Sequence, residues 1–393
     1  MKQYNFDKVV CRQNSGCMKA DLLKERFGRE DLIPLWIADM DFCTPDFIVD
    51  ALKERCCHEI FGYPFATKDY QDSIINWVRN KHNFEVEKEW LTFIPGIVKG
   101  IAFVIECFSN TGDKVIIQPP VYPPFRHIPE LHKREVVDNP LQLIDGEYKM
   151  DLDHLESIID DKCRILILCN PHNPGGVVWD KETLARLADI CQKHNILVIS
   201  DEIHADMAFP GYTHNTFAAV SEAAKMNSIT FMAPSKTFNI AGIVSSFAIV
   251  PNPELREKFF YFLESSELNQ AHIFAYVGTT AAYSNGENWL NQMMNYVVKN
   301  VDFVEEYLAA HIPQLKIVRP QASFLIWLDC RGLNMSQKEL VNFMINEAKL
   351  ALNDGSTFGQ GGEGFMRLNV GCPKAIIEKA LNNLREAVER MNN

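Results

Sequence analysis

Short apolar runs alternate with helical stretches along the first two-thirds of the chain. Five of them are "WLTFIPG" ending at Gly96, "DKVIIQPP" ending at Pro120, "CRILILCN" ending at Asn170, "NILVISDE" ending at Glu202 and "SITFMAPS" ending at Ser235. A strand with one wet face alternates polar and apolar positions, so runs that stay apolar predict strands covered on both faces of a largely parallel sheet. Between the third and fourth runs, "WDKETLARLADICQKHN" places Leu184, Leu187, Ala188 and Cys191 on one helical face. Asp180 is its candidate N-cap, and Lys193 and His194 fall in its last turn, so it reads as a crossover helix. From about residue 288 the pattern changes to a long amphipathic helix. In it Leu290, Met294, Val297, Val301, Val304 and Leu308 share a stripe. A second domain begins here, with strand candidates "LKIVRP" and "SFLIWLDC" and a last helix bearing Ile377, Leu381, Leu384 and Val388 on one face. The fold class is α/β: a mostly parallel central sheet flanked by helices, plus a smaller α+β domain.

Composition narrows the partners. With 393 residues, 47% of them hydrophobic, the chain can bury a large core. Its net charge of −12 and lack of a basic block argue against nucleic acid or an anionic membrane surface. Eleven cysteines without a C-x-x-C pair read as reduced thiols, with no metal site, and the adjacent Cys56 and Cys57 read as packing residues. No signal-peptide pattern or membrane-length apolar run is present in the sequence, which suggests a cytoplasmic setting.

Candidate chemistry lies just beyond the runs, where ligands collect at the carboxyl ends of strands in open α/β sheets. "PGIVKG" offers the amides of Gly96, Ile97 and Val98 to an anion, "VYPPF" offers Tyr122, "NPHNPGG" offers Asn173, "DEIH" offers Asp201 and His204, and "APSK" offers Ser235 and Lys236. Each is ordinary alone: a lysine at a strand end usually snorkels to solvent, and a strand-end aspartate is more often a helix cap. Their convergence is what one cofactor needs. Pyridoxal phosphate takes a lysine for its Schiff base, an acid for the pyridine nitrogen, donors for the phenolate oxygen, an aromatic face and an anion site. Lys236, Asp201, Asn173 with His204, Tyr122, and Gly96, Ile97, Val98 with Ser235 fill those places in turn. The carboxylate of an amino-acid substrate suits an arginine fork, for which Arg367 in "GFMRLNVG" is the candidate; its bland alternative is a surface salt bridge.

Motifs in order along nearly the whole chain carry a resemblance: "LWIADMDF", "FGYPF", "PVYPPF", "CNPHNPGG", "SDEIHADM", "APSKTFNIAGI", "DGSTFG" and "GFMRLNVG". The chain resembles the fold-type I pyridoxal-phosphate enzymes of the aspartate aminotransferase superfamily, and within them the MalY/PatB group of cysteine-S-conjugate (cystathionine) β-lyases. The resemblance implies a large cofactor-binding domain over 48–287 and a small domain of 1–47 with 288–393. It implies a cytoplasmic homodimer with shared active sites, Tyr63 of "FGYPF" reaching the phosphate held by the neighbouring chain. It also implies that Ala38 and Asn173 join Arg367 in substrate binding, and that Lys236 and Tyr122 act on the substrate. Relatives that transaminate usually have tyrosine and arginine where this chain has His204 and Val244, which favours elimination. One departure lies in "HNPGG": Gly175 stands where many relatives carry threonine or something bulkier, so the rigidity of that loop is in question. Two other readings use the same residues: an aminotransferase for aromatic or aliphatic amino acids, and a regulatory protein that keeps the pocket for a partner.

Overall fold

The computed structural model describes residues 2–392. Helices α1 (Asp46–Cys57) and α2 (Lys68–His82) precede a seven-stranded sheet. Its strands are β1 (Leu91–Ile94), β2 (Lys114–Ile117), β3 (Glu135–Asp138), β4 (Cys163–Cys169), β5 (Leu197–Asp201), β6 (Ser228–Met232) and β7 (Ser246–Ile249). They lie in the order β1-β7-β6-β5-β4-β2-β3. Only β7 runs against the rest, pairing Phe247 with Phe93 on one side and with Met232 on the other. Each of the five expected runs holds a strand. The sequence reading lacks β3, short and polar at both ends, and β7, which follows a left-handed Val244.

Both faces of the sheet are covered, as the continuous apolar runs require. On one side α3 (Ile97–Phe108) packs Ile97, Ile101, Val104 and Ile105 against Ile199, Ile229 and Phe231. Opposite, α4 (Lys181–Lys193) buries Leu184, Leu187, Ala188 and Cys191 on Leu166, Leu168 and Val198. Asp180 caps α4 as expected, accepting from the Thr183 amide at 2.7 Å.

Past α5 (Ile273–Asn285), the long helix α6 (Glu287–His311) buries every residue of its predicted stripe. It supports a four-stranded antiparallel sheet made of β8 (Lys316–Val318), β9 (Leu325–Asp329), β10 (Asn353–Asp354) and β11 (Phe365–Asn369), in the order β8-β9-β11-β10. The closing helix α7 (Lys374–Asn392) lays Ile377, Leu381, Leu384 and Val388 into the same core. The N-terminal segment joins this half of the molecule, where Ile33 and Pro34 pair in parallel with Leu350 and Ala351.

Two expectations change. Cys56 and Cys57 are exposed, not packed, because α1 turns Ile48, Ala51 and Leu52 inward and leaves its last turn facing outward. The "NPHNPGG" loop is shut tight: the His172 amide donates to Val177, the Gly176 amide to the His172 carbonyl, and the Gly175 amide to His172 Nδ1. A Cβ on Gly175 would sit 2.7 Å from Tyr148, so glycine there permits close packing and does not loosen the loop.

Candidate active site

A cavity of about 360 Å³ opens at the carboxyl edge of the large sheet. Ala38, Gly96, Ile97, Val98, Tyr122, Asn173, Asp201, His204, Ser235 and Lys236 all line it. Parallel strands deliver most of these residues because their carboxyl ends share one edge. The reversed β7 brings its amino end to that edge, adding Val244, Ser245 and Ser246. Val244 stands where the sequence reading placed the arginine of transaminating relatives; Ser245, Ser246, Lys99, Cys169, Ile203 and Ala241 were missed, because no local motif sets them apart from other residues of their type.

Lys236 lies in a single turn, Pro234–Thr237, immediately after β6. Thr237 ties the turn to the buried Asp206 at 2.7 Å, and Trp77 and His82 of α2 hold the same carboxylate. The Lys236 ammonium donates to the Ala38 carbonyl at 2.6 Å. Burial lowers its pKa to about 8; Arg367 acts in the same direction, while Asp39 and Asp201 oppose. The Asp201 carboxylate, at the end of the central strand, has one hydrogen-bond donor among the described residues, the Ile203 amide at 3.1 Å. Burial pushes its carboxyl up to about 7, and among the described residues no cation forms an ion pair with it. His204 is buried, with Nδ1 3.2 Å from the Ser323 hydroxyl, and burial followed by the charges of Lys236 and Arg367 depresses it to about 3. It is therefore neutral. Burial also raises the Tyr122 phenol, against the pull of Arg367.

Helix α3 begins at Gly96, whose φ of 105° a side chain would disfavour. No side chain caps it, so the amides of Ile97, Val98 and Lys99 face the cavity end without intrahelical partners. The Gly96 amide is already committed to the Ile94 carbonyl, which narrows the expected anion cradle to its neighbours.

Arg367 is no surface residue: it sits on β11, only 4% exposed. Its guanidinium donates to Asn173 Oδ1 at 3.1 Å, to the Trp36 carbonyl at 3.0 Å and to Asn353 Oδ1 at 2.7 Å, and it faces the Phe358 ring. Nε has no partner, and among the described residues no carboxylate pairs with this cation. Burial lowers it to about 10, so it stays charged. A buried cation without a counter-ion is a seat for an anion.

Tyr63 lies elsewhere, fully exposed between α1 and α2 beside a second cavity of about 760 Å³. It is not a core aromatic. Among the described residues no cluster of three or more His, Cys, Asp or Glu could hold a metal ion, and no helix is long and apolar enough to cross a membrane.

The donor set fits pyridoxal phosphate on its own chemistry: a neutralisable amine, a buried acid lacking a cation, a neutral imidazole, an aromatic ring and an uncapped helix start share one cavity. Fold and site together define a class, and the sequence agrees: the chain belongs to the aminotransferase class I and II family, which matches residues 30–384. Among its relatives is the cystathionine beta-lyase PatB of Bacillus subtilis, 41% identical over 98% of this chain and 100% of that protein. The structure of cystalysin from Treponema denticola, which contains pyridoxal 5'-phosphate, superposes with a TM-score of 0.96 at 32% identity, covering 99% of this chain and all of that one. The PLP-bound C-S lyase of Staphylococcus hominis superposes with a TM-score of 0.91 at 30% identity, covering 98% of each.

Proposed function

We propose that this chain is a pyridoxal-phosphate-dependent carbon–sulfur β-lyase. Its substrates are amino acids with sulfur at Cβ, such as cystathionine and S-substituted cysteines, and its products are a thiol, pyruvate and ammonia. The observation that carries the reading is the buried Arg367, paired with no carboxylate among the described residues and joined through Asn173 to a cavity holding a perturbed lysine. An α-carboxylate bound there leaves Cα facing the amine. The choice of sulfur as leaving group rests on relatives named for that chemistry.

When bound, the cofactor supplies an electron sink for the pair released as the Cα–H bond breaks. Asp201 would hold the pyridine nitrogen, and the positive charge there would relieve the cost of burying the carboxylate. Asn173 and neutral His204 would serve the phenolate oxygen, Tyr122 the ring face, and the Ile97 and Val98 amides with Ser235 the phosphate, while Gly96, its own amide bonded to Ile94, would set the turn that presents them. Arg367 orients the substrate carboxylate with a two-pronged hydrogen bond, with Ala38 and Asn173 beside it. Lys236 in its neutral form accepts the Cα proton. The Cβ–S bond then breaks with its electron pair leaving on sulfur, a Cα–Cβ double bond forms, and the Tyr122 hydroxyl gives sulfur a proton. Water hydrolyses the released enamine to pyruvate and ammonia.

The test is to incubate the loaded enzyme with L-cystathionine. Homocysteine, pyruvate and ammonia should accumulate without any added 2-oxo acid, and Lys236→Ala should abolish them. A second reading, aminotransferase, is favoured by the family itself. Product formed only when a 2-oxo acid is supplied would replace the lyase with it.

The same proposal includes a cytoplasmic homodimer and the division of the chain into 48–287 and 1–47 with 288–393. Support for the dimer comes from the segment between α1 and α2, where Ile60 and Phe65 are 71% and 75% exposed next to Phe61 and Tyr63. Apolar side chains this exposed, beside a large cavity, suit a partner surface.

A further inference from the structure

We infer that Lys19 and Arg12 are positioning residues for the active site, clamping the segment 36–41 whose backbone carbonyls hold Arg367 and Lys236. This segment touches both ends of the site: the Trp36 carbonyl accepts from Arg367 at 3.0 Å and the Ala38 carbonyl from Lys236 at 2.6 Å. Backbone carbonyls have no rotamer of their own, so their aim depends on what fixes the chain on either side.

Asn369 holds the Ile37 and Asp39 carbonyls at 2.6 and 2.7 Å and Asn239 holds Met40, and a four-charge cluster fixes the segment from its other side. Lys19, 1% exposed, donates to Asp41 Oδ2 at 2.9 Å and to the Asp39 carbonyl at 3.1 Å. Arg12 grips Asp39 with two nitrogens, at 2.9 and 2.7 Å, and reaches Asp41 at 2.6 Å and the Met40 carbonyl at 3.2 Å. The Lys19 carbonyl in turn accepts from the Trp36 indole at 3.0 Å. A fully desolvated lysine is expensive unless paired, and this one is paired wholly to the segment that aims the site. Two cations balance two carboxylates, so the cluster also limits how much negative charge Lys236 senses from Asp39.

The inference rests on Lys236 being the reactive amine, not on which reaction it serves. The test uses cofactor-free protein, trace-acylated with acetic anhydride across a pH series, with the Lys236 peptide read by mass spectrometry. Asp39, Asp201, Arg367 and His204 are the charged or titratable groups facing that amine. Lys19→Met leaves the cluster one cation short, so Lys236 should keep its proton to higher pH, its midpoint rising by about half a unit or more. In loaded enzyme kcat should fall several-fold, and Lys19→Arg should restore both. Arg12→Gln, on the more exposed side of the cluster, should shift the midpoint the same way and serves if Lys19→Met does not fold. A folded variant of either kind that labels with the wild-type midpoint would overturn the inference. A failed lyase reading would show separately, as absent pyruvate from the unmutated enzyme.

Discussion

Asp201 is built for a cation it does not find within the protein. Its carboxyl is pushed up to about 7 from an ordinary 3.8, so between those values the folded chain holds a proton that the unfolded chain has lost. Stability of the cofactor-free protein therefore falls as pH rises through that window, and the full cost is present above about 7. Asp201→Asn, which keeps an oxygen for the Ile203 amide, should stabilise the cofactor-free protein at pH 8 by about 2 to 4 kcal/mol while crippling turnover. Urea unfolding at pH 8 and pH 4 measures it: the difference between variant and parent should vanish at the lower pH, and a gap that persists there would contradict the account. Residues of this kind were legible because their side chains carry chemistry in sequence. Arg12, Lys19 and Asn353 were not, since nothing in a linear chain shows that an ordinary charged or amide side chain will be buried against a distant backbone.

At the level of elements, what could be read depended on whether a segment's pattern is local. The five apolar runs and the α6 stripe declare themselves in one window, whereas β11 carries Arg367 in its middle and "GFMRLNVG" therefore reads as a motif, not a strand. The sense of β7 was equally hidden, because direction is set by the partners and not by composition. Gly175 shows the converse, a residue whose meaning reverses once its neighbours are known. Its missing Cβ makes room for Tyr148, whose hydroxyl accepts from the Trp327 indole at 3.0 Å, so the loop beside Asn173 is welded to β9. Gly175→Ala should lower stability by about 1 to 3 kcal/mol, the usual cost of overpacking. Chemical denaturation would show it, and a change below about 0.5 kcal/mol, the scale of a surface substitution, would mean the loop yields freely.

For the molecule as a whole, one expected member of the site, Tyr63, is not among the residues lining the cavity that would hold its phosphate contact and stands in solvent beside the second cavity. If a second copy covers this segment, Tyr63→Phe should weaken retention of the cofactor during gel filtration while leaving the unfolding midpoint of the cofactor-free subunit unchanged. Sedimentation showing a fully active monomer would remove the reason for that contact. The reversed strand β7 has a consequence of another kind. β1 finds no partner until β7 arrives, because Leu91 pairs with Ile249 and nothing closer in the chain flanks that edge. The N-terminal segment waits longer still, for Leu350 and Ala351. Contacts so distant in sequence fold slowly. During synthesis, then, the emerging chain carries the unpaired apolar edge of β1 until Ile249 has been added, and the N-terminal segment that leads to Ala38 settles only when the ribosome has nearly finished its work.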